Sequence, residues 1–163
     1  MPANLKLRPR MRRLLSPAVT QAELIGIIAW LGVLLIHPDM QLDIYLSAIT
    51  LCLLAVCRLH HMTIHFYLWR TLGVVYVVLL SVGFAYVISA HGELRLFGLP
   101  LAVILVISSA ILFISVQDYL VCATLVWLIL WPCIQADIYG DAQVYMYIFC
   151  VASVAIGFIL SFS

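Results

Sequence analysis

Apolar residues come in six long runs, separated by short polar stretches. A bilayer core of about 30 Å needs roughly 20 apolar residues per helix, so the runs predict spans over 22–36, 44–57, 72–90, 97–115, 119–134 and 144–163. Strict polar-apolar alternation, the mark of a transmembrane barrel, is absent from runs such as 99–116. The fold class is therefore all-α: a polytopic bundle of six transmembrane helices over 21–163, behind a basic tail over 1–20. Pro100 falls in the first turn of the fourth span, where proline is tolerated. Trp131-Pro132 is expected to kink or stop the fifth. Val116-Gln117-Asp118 reads as a tight turn, which makes spans four and five antiparallel neighbours. Small-residue pairs four apart, Ala22/Gly26, Ser81/Ala85 and Ser153/Gly157, allow close helix approach.

Composition sharpens this picture. The chain is 66% apolar and 9% charged, against about 45–50% and about 25% in soluble domains; its mean hydropathy is +1.20. Of eight Lys and Arg, five sit in the tail (Lys6, Arg8, Arg10, Arg12, Arg13), Arg58 and Arg70 bound one internal strip, and Arg95 stands alone. By the positive-inside rule, both termini and the strip 58–70 face the cytoplasm. The acidic residues Asp39, Asp43, Glu93, Asp137 and Asp141 then fall outside. The strip carries His60, His61 and His65 and reads as a membrane-surface turn. Arg10, Arg12, Arg13, Arg58, His61, His65 and Arg70 are its expected headgroup contacts, each tail arginine contributing about 1 kcal/mol on an anionic leaflet. The last run ends at Leu160-Ser161-Phe162-Ser163 without a basic anchor, which carries the expectation of a chain continuing past Ser163.

Candidate chemistry is sparse. Five scattered cysteines form no Cys-x-x-Cys pair and read as small buried apolar residues. His61 and His65 stand four apart, a spacing that suits a metal if a helix carries both, but the strip has no carboxylate or thiol to complete a site. His37 and His91 match in depth yet lie outside the hydrocarbon, so haem is not expected, and neither a metal nor any other cofactor is implied. No catalytic set is visible. Glu23, at the inner end of span one, is placed to pair with a basic residue of the strip, while no ionisable group falls mid-span. Phe66, Tyr67, Trp69 and Tyr119 form an inner aromatic group, and Tyr45, Tyr86, Phe97, Trp131, Tyr139, Tyr145 and Tyr147 an outer one. A belt at each interface explains both groups. A sharper reading lines an outward apolar pocket with Tyr86, Trp127, Trp131 and Tyr145, fit for a lipid-like or quinone-like ligand.

Six closely spaced spans, a basic tail, short loops and an uncharged last helix resemble the MASE-type input modules of bacterial diguanylate cyclases and related histidine kinases. The likeness is architectural; Trp131-Pro132 stands in another context than the Trp-Pro of one MASE class. The resemblance implies a homodimeric anchor in the bacterial inner membrane. It would pass a change of helix packing to a cytoplasmic domain that holds any nucleotide-cyclase or kinase activity. Its partners would be the bilayer, a second copy and a hydrophobic small ligand, with no nucleic acid. The rival reading is a complete small accessory subunit of an envelope-assembly or transport complex, docking another membrane protein through its small-residue faces.

Overall fold

The computed structural model describes residues 9–36, 43–112, 115–134 and 143–162. Side chains of 9–16, Glu93, 111–112, Gln143, Met146 and 160–162 are not among those described. The headgroup contacts expected of Arg10, Arg12 and Arg13 therefore lie outside the described residues, as do His37, Asp39, Asp137, Tyr139 and Asp141.

The chain is all-helical among these residues: α1 Pro9–Ile36, α2 Ile44–Met62, α3 Phe66–Ala90, a 3-10 helix Gly92–Phe97, α4 Gly98–Leu112, α5 Val116–Ile134 and α6 Gln143–Phe162. Among the described residues four helices are long and apolar enough to cross a membrane: Pro17–Ile36, Ile44–Met62, Phe66–Ala90 and Val116–Ile134. Two shorter apolar stretches, Leu94–Ala110 and Tyr147–Ile159, accompany them. Many large apolar side chains face outward, among them Ile25, Leu35, Leu51, Leu128, Val151 and Ile159. That is a tolerable surface only in lipid, so the protein is a membrane protein.

Several helices outrun the apolar segments. α1 begins at Pro9 and continues through Pro17. α2 reaches Met62, so Arg58, His60 and His61 are helical rather than part of a surface turn. Its start is fixed by Asp43, whose side chain accepts from the Tyr45 N–H at 2.7 Å. The connection to α3 shrinks to Thr63, Ile64 and His65. Thr63 caps α2 by donating its N–H to Leu59 O at 2.9 Å, and the Trp69 N–H already bonds His65 O. Val116-Gln117-Asp118 is not a turn but the first turn of α5; an acidic residue there complements the helix dipole. Pro132 does not stop α5, which runs on to Ile134. Only the Leu128 carbonyl loses its i+4 donor to the proline.

The chain forms two compact units, residues 1–80 and 81–163. In the first, α1 packs on α2, and Trp30 Nε1 donates to Thr50 Oγ1 at 2.9 Å. In the second, α4 packs on both α5 and α6, and α5 on α6. Ala102, Val106, Cys122, Val126 and Leu130 are fully buried there. Tyr119 is buried as well, not in an inner belt. Its hydroxyl donates to Ser153 O and Val154 O of α6 at 3.4 and 3.2 Å.

Candidate functional site: a buried carboxylate shared by two histidines

Glu23 lies on α1 within Pro17–Ile36, one of the stretches apolar enough to cross a membrane. It is 2% exposed, and so is His60. This corrects the expectation that no ionisable group is buried in the bundle. Of the strip's three histidines only His60 is buried; His61 and His65 are exposed. A carboxylate in an apolar interior must be paired and hydrogen-bonded or neutralised, and the Glu23 carboxylate is met by two histidines of α2. Its Oε1 meets Nδ1 of the buried His60. Its Oε2 lies 3.3 Å from Nε2 of His61, whose side chain is 44% exposed. That second contact is close enough for an ion pair but does not have hydrogen-bond geometry, so Oε2 has no hydrogen-bond partner among the described residues.

The backbone of the same residue is engaged too. Tyr76 of α3 donates its hydroxyl to Glu23 O at 2.7 Å. A helix carbonyl leans toward the side chains three and four residues ahead, and here the residue three ahead is Gly26. A Cβ at Gly26 would meet the Tyr76 hydroxyl and lie 2.9 Å from Leu80 Cδ1. The small pair Ala22/Gly26 thus marks a close approach, of α3 to α1. One residue of α1 is therefore bonded to α2 through its side chain and to α3 through its backbone.

The surroundings are apolar and aromatic. The Trp69 ring stands 4.8 Å from the His60 ring, tilted by 46°. Cys57, one turn before His60 on α2, is buried and lies within the field of the Glu23 carboxylate, as does Tyr76. His60 Nε2 is buried and has no hydrogen-bond partner among the described residues. A neutral imidazole that donates from Nδ1 to a carboxylate leaves Nε2 as a bare acceptor.

The other candidates are dispersed. His61 ends α2 and His65 precedes α3, so no single helix carries both. Arg58 and His65 are exposed, and Arg70 is half-buried with its guanidinium 5.5 Å from the Phe66 ring centroid. Of the pocket expected from the outer aromatic residues, Tyr86 is 37% and Tyr145 63% exposed, while Trp127 is buried. Trp131 meets Tyr147 at 5.7 Å between ring centroids. Trp127 Nε1 is a buried donor with no partner among the described residues.

Sequence reasoning found Glu23 and its inclination toward the strip, but not His60 as the partner. His60, His61 and His65 are chemically alike, and only helical phase decides which one faces α1. The signal was Cys57, His60 and His61 at i, i+3 and i+4, which share a face once α2 is extended to Met62. Among the described residues no group of three or more His, Cys, Asp and Glu is arranged to hold a metal ion, and all five cysteines are free thiols. No family model, no curated protein and no solved structure matches the chain.

Proposed function

We propose that the chain is a membrane-embedded sensory and anchoring module of a bacterial signalling protein, crossing the inner membrane six times with both termini in the cytoplasm. It works as a homodimer and passes a rearrangement of its helices to a cytoplasmic output domain such as a diguanylate cyclase or a histidine kinase. The observation that carries this reading is the bonding of Glu23 to both α2 and α3. An ionisable residue inside a membrane segment is costly and by default marks function. One that ties three helices together is placed to convert a change of its own state into a change of their packing. A stimulus shifts such an equilibrium only by its differential affinity for the two packings.

The rival accessory-subunit reading rests on small-residue faces that dock another protein. Gly26 and Gly157 are both covered within the chain, by Tyr76 and Tyr119, which weighs against those two faces serving as docking sites. The test is a fusion of the chain to a diguanylate cyclase domain after α6, with cyclic dinucleotide measured in cells. The sensory reading expects the output to change several-fold between the native chain and Glu23→Gln. Equal output from both, matching that of an unrelated passive anchor, contradicts it.

A further inference from the structure

The geometry points to Glu23 Oε2 as a proton-binding site that His61 serves from the membrane surface. This deepens the reading above by naming the proton as the ligand. It rests on that reading only for the consequence of proton uptake, not for the chemistry.

Two observations carry it. Oε2 is a buried carboxylate oxygen without a hydrogen-bond partner among the described residues, in a side chain that is 2% exposed. Such an atom is left with a large unmet demand for a donor. The donor group that stands against this oxygen is His61, with its Nε2 at 3.3 Å and its side chain 44% exposed. The other oxygen is already held by His60 Nδ1, which fixes the carboxylate plane and leaves Oε2 facing His61. The remaining titratable groups that feel the carboxylate are Cys57 on α2 and Tyr76 on α3. The Tyr76 hydroxyl is committed to Glu23 O, and Cys57 is buried, so neither offers a route from water.

The step balances simply. His61 takes a proton from water at Nδ1. Its Nε2–H bond breaks, the electron pair stays on nitrogen, and an O–H bond forms at Oε2. His61 returns to neutral in its other tautomer, and Glu23 becomes a neutral acid that still accepts from His60 at Oε1. The cluster goes from one net negative charge to none, which alters the electrostatic hold of α1 on α2 inside the apolar bundle.

The experiment is a pH jump on the full chain in lipid vesicles, with proton uptake followed through the infrared carboxyl signal of isotope-labelled Glu23. A positioned acid-base group speeds proton transfer by about 10²–10⁴-fold, so His61→Ala should slow uptake on the order of 100-fold. Free imidazole should restore the rate in proportion to its concentration, which a merely structural role of His61 would not do. The nitrogen resonance of His60 reports whether its contact with Glu23 survives; if His61→Ala loses that contact, His61→Gln is measured instead and must slow uptake likewise. An unchanged rate overturns the proposal, as does a slow rate that imidazole leaves unmoved. The cyclase fusion reads output separately, so proton uptake through His61 with no change in output would contradict the sensory reading and leave the proton site standing.

Discussion

The hydroxyl of Tyr119 lies over Gly157 and donates to the carbonyl of Val154, three residues earlier on α6. Tyr76 does the same over Gly26, donating to the carbonyl of Glu23, three residues earlier on α1. Each compact unit thus contains a tyrosine that reaches a helix backbone through the gap left by a glycine. In lipid there is no water to satisfy a buried hydroxyl, and a carbonyl already bonded within its helix can accept a second hydrogen bond.

Replacing either glycine should therefore cost stability. A Cβ at Gly157 would collide with the Tyr119 hydroxyl and ring, reaching 2.8 Å from Cε2; at Gly26 it would meet Tyr76. We expect Gly157→Ala and Gly26→Ala each to destabilise by about 1–3 kcal/mol, as overpacking does. Tyr119→Phe and Tyr76→Phe should cost less, about 1 kcal/mol for a lost hydrogen bond. Unfolding titrations in mixed micelles give the order; a glycine variant as stable as the native chain would contradict the close approach.

Removing one member of the Glu23–His60 pair should behave unlike removing both. Glu23→Ala strands His60 in the interior, and breaking a buried pair this way costs about 3–5 kcal/mol. The double variant Glu23→Leu with His60→Leu replaces both by apolar groups and should be near neutral or more stable. If the pair is kept for function, that double variant folds well and loses its response in the cyclase fusion. A double variant as unstable as Glu23→Ala would show that the pair is structural.

The cap on α2 and the cross-helix bond beneath it offer two smaller tests. Asp43→Ala removes the acceptor for the Tyr45 N–H and should cost about 1 kcal/mol. Thr50→Val removes the acceptor for Trp30 Nε1 in a side chain that is 1% exposed, and the lost hydrogen bond should cost about 1 kcal/mol. Thermal melts read both. If Thr50→Val costs nothing, α1 and α2 do not meet at this register.

The apolar runs made the helices legible, because length and hydrophobicity alone decide what lipid accepts. Their ends were less so. Residues 58–70 looked like a loop because charged and histidine side chains crowd there, yet helical hydrogen bonding continues through Met62 and resumes at Phe66. The backbone is indifferent to polar side chains that reach a surface or a partner. Pro132 looked like a kink or a stop, but one missing donor does not end a helix at that residue, and α5 continues to Ile134. Glu23 could be read as a residue seeking a partner, since it is the lone acid in a long apolar run. Which histidine answered it depended on the rotation of α2. Tyr119 resembled a belt residue and Tyr76 carried no signal at all; the acceptors of both hydroxyls are backbone atoms that no sequence pattern displays.

The central claim is that a carboxylate within an apolar, lipid-facing bundle is held by a histidine of the next helix. Solid-state NMR on the chain in lipid bilayers, with Glu23 labelled at its carboxyl carbon and His60 at its ring nitrogens, measures that contact directly. The account predicts strong dipolar coupling between the Glu23 carboxyl and His60 Nδ1, with His60 shielded from water while His61 is not. Absence of that coupling, with His60 as water-accessible as His61, would contradict it.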